Sequence, residues 1–575
     1  MYFSKKNFFI FSLFLIYIFF DRTLWSDIAQ WQVDEATTIY IGYTKLISDI
    51  KVGLISSQGI PNPNGMMFLS KALSLFPNLW VSSYVLSILQ FSLILILSYL
   101  VSKIDRRIFL YIFLPLIFCV CLRSISTHLS NQWILTLVNF LFLILILNYL
   151  HNPNFKKLIL FTYPIFIAPS LYLAGITNSI AYIICIFLIM FFYKPKTNIK
   201  DLYLSFIHFI FISLIFIYFV WYPYLETIYF NEVSLFIQKD NPNFFREIFQ
   251  TILNFPYWSV FLSAGEVLGT FKHNGLNTTT YPFWSIFHYG DDYVKNLKEI
   301  YDGPLSNTSI YLLQINSIIL IIQSILSSTL LVLFLFFKDI FKIKNKKIAL
   351  FLIINFLFIF FMIITGAILG SPNWVEGERL DMQVNLIPFF LIFWFSFSWI
   401  FQIKFNFNKY IKLFSKIIFF SYIIVNLLSG YFISKDHINY EGKILSDADI
   451  PLVQKQEIID FIVNDWKNNS TDNEISIGYY FPDKRYSWVN KFGEKYVKYY
   501  PNIYVRGREF DYILLRKYGL KNFQEGIQHR EISKNEYIIT YNTINLNLNN
   551  IRVELNENIG RLKVLKFKMK IKSNN

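Results

Sequence analysis

Asp34 and Glu35 stand side by side in the stretch WQVDEATT, a short way past the first long apolar run. A carboxylate in such a place can take the proton from an attacking hydroxyl, hold a metal ion, or fix a loop by hydrogen bonding. Neighbours on a helix point about 100° apart and neighbours on a strand point opposite ways, so the two are poorly placed to grip one atom as a close acid/base dyad. Separate roles follow: one faces a reacting centre as general base, while the other orients a loop, holds a metal or pairs with a cation. The purely structural alternative puts both at a helix N-terminus, where the dipole favours negative charge.

Three further groups have chemistry in their side chains. Asn62 and Asn64, in GIPNPNG, have amides that can bond a sugar or a phosphate, although turn formation alone explains them. His288, Asp291 and Asp292, in HYGDD, invite a metal reading, but their spacing matches no defined ligand pattern. A solvated loop is the leading account of them and acceptor binding the second, so a divalent metal is compatible with the sequence without being required by it. Arg379, in GERLDMQ, offers a planar fork of donors that suits a phosphate, or serves as an interfacial anchor.

The elements that must position these residues are set by composition. The chain has 575 residues, of which 54% are hydrophobic, 20% aromatic and only 16% charged. That excludes an ordinary soluble enzyme. About eleven apolar runs are expected to cross a bilayer, at 8–20, 79–101, 108–122, 132–150, 158–173, 178–192, 202–221, 309–337, 348–369, 383–401 and 413–433. Some twenty helical residues at about 1.5 Å each match roughly 30 Å of hydrocarbon. The first run follows Lys5 and Lys6 as a secretory signal would, but Asp21-Arg22-Thr23 offers no small-residue cleavage site, so an uncleaved span is expected.

Orientation follows from basic loops. Lys5/Lys6, Lys103/Arg106/Arg107, Lys156/Lys157, Lys194/Lys196/Lys200, the lysines of 338–347, and Lys404/Lys409/Lys412 mark the cytoplasmic side, with the N-terminus on it. Facing outward are the first loop 21–78, turns near Arg123 and Gly175, the loop 222–308, the turn 370–382 and everything after 434. Every candidate above then lies at the outer edge, with Glu266, His273, Glu376, Glu378 and Asp381 beside them. There a charge escapes the roughly 2.5–3.5 kcal/mol it costs at mid-bilayer. The net charge of +15 is absorbed by the cytoplasmic loops and anionic lipid, so no nucleic-acid partner is expected. Cys119, Cys121 and Cys185 fall in apolar runs and read as small hydrophobes.

Two domains are expected: a transmembrane domain at 1–434 and a soluble extracytoplasmic α/β domain at 435–575. The second contains LVQKQEIIDFIVNDWKN, with Leu452, Ile459, Ile462 and Trp466 at helical spacing, then the alternating EISIGYY and the run DYILLRK. Within the first loop, Ile39, Tyr43, Leu46 and Ile50 recur on one side and Lys45 and Asp49 on the other, which predicts a helix lying in the membrane interface.

VDEATT after the first span, the interfacial helix, the broken turn GIPNPNGMMFL before the second span and the late GERLDMQVNLIPFFLIF together resemble the GT-C superfamily of membrane glycosyltransferases. Within it, the chain looks most like the protein O-mannosyltransferase and aminoarabinose-transferase group. The likeness covers about the first 400 residues, and a soluble outer domain after the last span also occurs in that group. The resemblance implies a polyprenyl-phosphate sugar donor, a lipid, glycan or protein acceptor, and transfer outside the cytoplasm with inversion. It implies Asp34 as the catalytic carboxylate, Glu35 as its acidic neighbour and Arg379 near the donor phosphate. Relatives often carry a His-Pro-Pro type turn where this chain has Asn62-Pro63-Asn64, so the titratable ring is missing and the turn is expected to do no more than shape the cavity.

Other classes fit less well. A transporter or flippase predicts inverted repeats and charge at mid-membrane, and neither is evident in the sequence. A surface-polysaccharide ligase or polymerase would rely on arginines in a large late outward loop, whereas the largest such loop here has only Arg246. A non-catalytic receptor would use the C-terminal part as its binding module. The abundance of Ile, Asn and Lys and the missing cleavage site fit a bacterial inner membrane.

Overall fold

The computed structural model describes residues 5–54, 61–104, 109–195, 198–230, 409–439, 450–469, 474–480, 507–522, 536–542 and 553–567, isolated positions excepted, with scattered residues between 306 and 361. Its first part is helical: α1 (Lys5–Asp27), α2 (Val33–Thr44), α3 (Gly65–Leu73), α4 (Leu79–Ile104), α5 (Phe109–Phe118), α6 (Val120–Ile125) and α7 (Asn131–His151). Then come α8 (Phe155–Ile159), α9 (Thr162–Leu171), α10 (Gly175–Phe192), α11 (Ile199–Phe216) and, after one π-helical turn, α12 (Tyr222–Phe230). The long α13 (Lys409–Asn439) precedes a mixed unit of α14 (Leu452–Asn469), β1 (Glu474–Ile475), β2 (Ile477–Tyr480), α15 (Arg508–Tyr518), β3 (Lys521–Asn522), β4 (Tyr537–Tyr541), β5 (Val553–Ile559) and β6 (Leu562–Phe567).

Among the described residues, five helices are long and apolar enough to cross a membrane: Leu79–Ile104, Ile134–His151, Gly175–Phe192, Ile199–Ile228 and Leu413–Asn439. The fourth leaves Phe206, Phe211, Tyr218 and Leu225 exposed, a surface suited to lipid tails and not to water. The described residues are thus mostly helical, with apolar helices compatible with membrane insertion.

Two of the expected runs are interrupted. The run at 108–122 divides into α5 and α6 at Cys119, one turn after Pro115, whose ring removes a helical donor. The Val120 amide is taken up by Oδ1 of Asn426 on α13, 3.0 Å away, so a side chain from a distant helix splices the break. The run at 158–173 becomes the five-residue α8 and the ten-residue α9. Ten helical residues rise only about 15 Å, half the hydrocarbon thickness. The runs at 309–337, 348–369 and 383–401 lie mostly or wholly outside the described residues.

Basic side chains meet helix-end carbonyls at both ends of the bundle. At one end Lys157 donates to the Asn148 carbonyl at 2.7 Å, Lys347 reaches the His151 carbonyl at 3.5 Å, and His151 Nε2 donates to the Leu100 carbonyl at 2.9 Å. These lysines sit where the α7 dipole is negative. Burial, then Lys103 and Lys347, hold the Lys157 ammonium below its ordinary pKa. The opposite end carries α2, α3 and the start of α4.

The C-terminal unit is a four-stranded mixed sheet in the order β2-β4-β6-β5, with β2 parallel to β4 and the other pairs antiparallel, beside the short parallel pair β1–β3. Leu452, Ile459, Ile462 and Trp466 of α14 are buried, as their spacing requires of one apolar face. Asp465 of α14 accepts from the cross-strand pair Lys566 and Tyr537, each at 2.6 Å, tying helix to strands.

Candidate functional site

α2 begins at Val33, which places Asp34 and Glu35 in its first turn, where the dipole favours them. Glu35 has a further partner. It is 3% exposed, and its Oε1 lies 2.8 Å from Nδ1 of His128 in the turn after α6. An ionised carboxylate can only accept, so in that state Nδ1 is the proton-bearing nitrogen. The side chain of Asp34 lies outside the described residues.

The His128 turn and the approach to α2 are joined a second time. Trp31, fully buried, donates its indole N–H to the Thr127 carbonyl at 2.9 Å, and Ser83 of α4 donates to the same oxygen at 2.8 Å. The entry to α2 is therefore held through Trp31 and again through Glu35, by two consecutive residues of one turn.

Below this lies a buried polar cluster. Arg123 pairs with Asp21 at 2.7 Å, donates to the Asn426 carbonyl at 2.8 Å and lies 5.1 Å from the Trp25 ring. Gly430 of α13 makes room for it, since a Cβ there would collide with the guanidinium. Arg22 donates to Ser126 at 3.1 Å and Ser87 at 3.4 Å. The end of α1 is thus bonded to α4, to the turn after α6 and, through Arg123, to α13.

α2 ends at Thr44, earlier than its apolar spacing suggests. A short 3-10 turn, Ile47–Asp49, follows, leaving Leu46 exposed while Ile39 and Ile50 are buried. The helix is covered by protein on two sides. Against α3 the approach is close: a Cβ on Gly42 would lie 2.8 Å from the Lys71 amide nitrogen, and Lys71 Nζ caps the end of α2 through the Gly42 and Lys45 carbonyls at 3.1 and 2.7 Å. On the other side, α15 sets Arg508 over the Tyr40 ring at 4.3 Å and Tyr512 edge-on to Tyr43 at 5.7 Å. Arg516 donates to the Ser74 and Leu75 carbonyls at 3.0 and 2.7 Å. Burial holds the Arg508 guanidinium below its ordinary pKa, against the opposing pull of Asp511 and Tyr479.

Asn62 and Asn64 face inward. Asn62 donates to the Leu54 carbonyl at 3.0 Å and accepts from the Leu173 amide at 3.1 Å. Asn64 donates to the carbonyls of Ile50 at 2.8 Å and Phe219 at 2.9 Å. Both are buried, and their amides knit the first loop to the turn after α9 and to the turn between α11 and α12. Arg379, His288, Asp291 and Asp292 lie outside the described residues, as do Glu266, His273, Glu376, Glu378 and Asp381. Among the described residues no group of three His, Cys, Asp or Glu side chains could hold a metal.

His128 escapes sequence reasoning because it lies 93 residues from Glu35, in a polar turn with no motif of its own. The arrangement engages the second acidic residue of the first turn of α2 and ties that turn to the one after α6. No family model matches the chain, and no curated protein or solved structure matches it either.

Proposed function

We propose that the chain is an integral membrane glycosyltransferase that moves a sugar from a polyprenyl-phosphate donor to a lipid, glycan or protein acceptor outside the cytoplasm, with inversion. The observation that carries this reading is the pairing of Glu35 with His128, which occupies one carboxylate of the acidic pair and leaves the catalytic duty to Asp34. Asp34 acts as general base, taking the proton of the acceptor hydroxyl as it attacks the anomeric carbon. As the bond to the lipid phosphate breaks, negative charge grows on that phosphate, and Arg379 meets it with a bidentate fork. The resemblance of VDEATT and GERLDMQVNLIPFFLIF to the GT-C enzymes supports these assignments. Membrane placement follows the positive-inside rule: the lysine-rich end faces the cytoplasm, and the acidic helix and C-terminal unit face outward, in a bacterial inner membrane.

A transporter is the second reading, favoured by Asp21, Arg22 and Arg123, which are buried among helices, with Arg123 bonded to Asn426 of a candidate span. The experiment that separates the two is intact mass spectrometry of surface glycolipids and glycans from cells with and without the gene. A glycosyltransferase predicts a species lighter by one sugar residue in the deletion. A transporter predicts the same glycan masses in both.

A further inference from the structure

The acidic helix is gripped from a third direction. Lys455, in the first turn of α14, is fully buried; its Nζ donates to the Trp31 carbonyl at 3.1 Å and pairs with Glu509 of α15 at 2.9 Å. Three residues earlier, the Leu452 amide donates to the Ala29 carbonyl at 2.9 Å. The connection between α1 and α2 is therefore bonded to the C-terminal unit through two of its own carbonyls. Trp31 passes the constraint on, because its indole binds Thr127, whose neighbour His128 binds Glu35.

A buried ion pair is weak evidence of stabilisation, since the cost of desolvating both charges offsets their attraction and an apolar pair often serves as well. What an apolar pair cannot supply is a donor for the Trp31 carbonyl, which would otherwise be buried without that partner. The ammonium is thus placed where its specific effect falls on the main chain three residues before Asp34.

We propose that Lys455 is a positioning residue of the acidic helix: held by Glu509, it fixes the Trp31 carbonyl and so the register at which Asp34 and Glu35 enter α2. The C-terminal unit completes the site instead of serving as a detached binding module. The consequence for transfer rests on the function proposed above; the clamp itself does not.

Two full-length variants in detergent test it. K455M/E509M removes both charges together with the donor to Trp31; K455M/E509Q repeats the test with a neutral polar partner should the second methionine not pack. E509Q keeps the donor and a neutral acceptor. Hydrogen exchange of residues 29–38 is expected to quicken by about tenfold or more in the double variants and to quicken less in E509Q, which keeps the donor but leaves the buried ammonium without its counter-charge. With a labelled undecaprenyl-phosphate hexose that wild-type membranes consume, kcat in the double variants is expected to fall on the order of 100-fold, as displacement of a catalytic group by an ångström does, with the donor KM unchanged. Unchanged exchange in the double variants overturns the clamp, whether or not the chain transfers sugar. Faster exchange with unchanged kcat overturns the positioning role. Loss of transfer through a raised KM alone also overturns it, because the lysine would then serve donor binding.

Discussion

Breaking the Glu35–His128 pair tests whether the first turn of α2 is rigid for the reason given. The two side chains are 3% and 11% exposed and 2.8 Å apart, so solvent screens them little and a hydrogen bond involving a charged group contributes about 1.5–3 kcal/mol. H128A and E35A should each lower the free energy of local opening at the first turn of α2 by about 2 kcal/mol. The double variant should cost little more than either alone, giving a coupling of roughly 1.5 kcal/mol. H128N should recover most of the loss, because an asparagine Nδ2, like a histidine Nδ1, is bonded directly to Cγ. The assay is hydrogen exchange of residues 33–38 in detergent, corrected for intrinsic rates. Additive single effects, with coupling below about 0.5 kcal/mol, would refute the pairing as the source of rigidity. So would an H128N protein as loose as H128A.

Three other outcomes follow from the geometry. N64A strips the Ile50 and Phe219 carbonyls of a shared donor and should lower stability by about 2 kcal/mol or more, seen as earlier loss of the monodisperse species on heating in detergent. Asp465 lies below its ordinary pKa, because burial pushes it up but the hydrogen bonds from Lys566 and Tyr537 and the Lys566 charge outweigh that. A depressed carboxylate stabilises the fold above its unfolded pKa and loses that effect as pH falls through the folded value, so protection of β4 and β6 should drop below about pH 4 in wild type and far less in D465N. Lys51 and Lys156 are exposed near opposite ends of the bundle, so a membrane-impermeant maleimide added to spheroplasts should label K51C and leave K156C unlabelled until the membrane is opened; equal labelling would contradict the orientation.

Much of the helical membrane character is legible because twenty apolar residues in a row have few other uses. The breaks are not. Cys119 and Pro115 read as part of one apolar run, and what sustains the interruption is Asn426, 306 residues away from Val120. The end of α2 is similarly hidden: Leu46 keeps the helical spacing, while the chain has already turned into Ile47–Asp49. At the site, the divergence of adjacent helix residues makes different duties for Asp34 and Glu35 open to sequence reasoning. That one of them meets a histidine depends on how α6 ends, which no local pattern encodes. The Gly/Pro turn at 59–65 is visible as a turn, yet the reach of Asn64 to Phe219 is a tertiary fact. Lys455 looks like a solvated helix lysine in KQEIID and is instead fully buried against Trp31.

The most direct test of the catalytic role is transfer by D34N in membranes matched for protein content. Supplied with the labelled undecaprenyl-phosphate hexose, D34N should lose transfer by a factor on the order of 100 to 10,000, as removal of a general base does, while E35Q, with its histidine contact retained, keeps a substantial fraction. A D34N protein that transfers sugar at the wild-type rate would contradict the account.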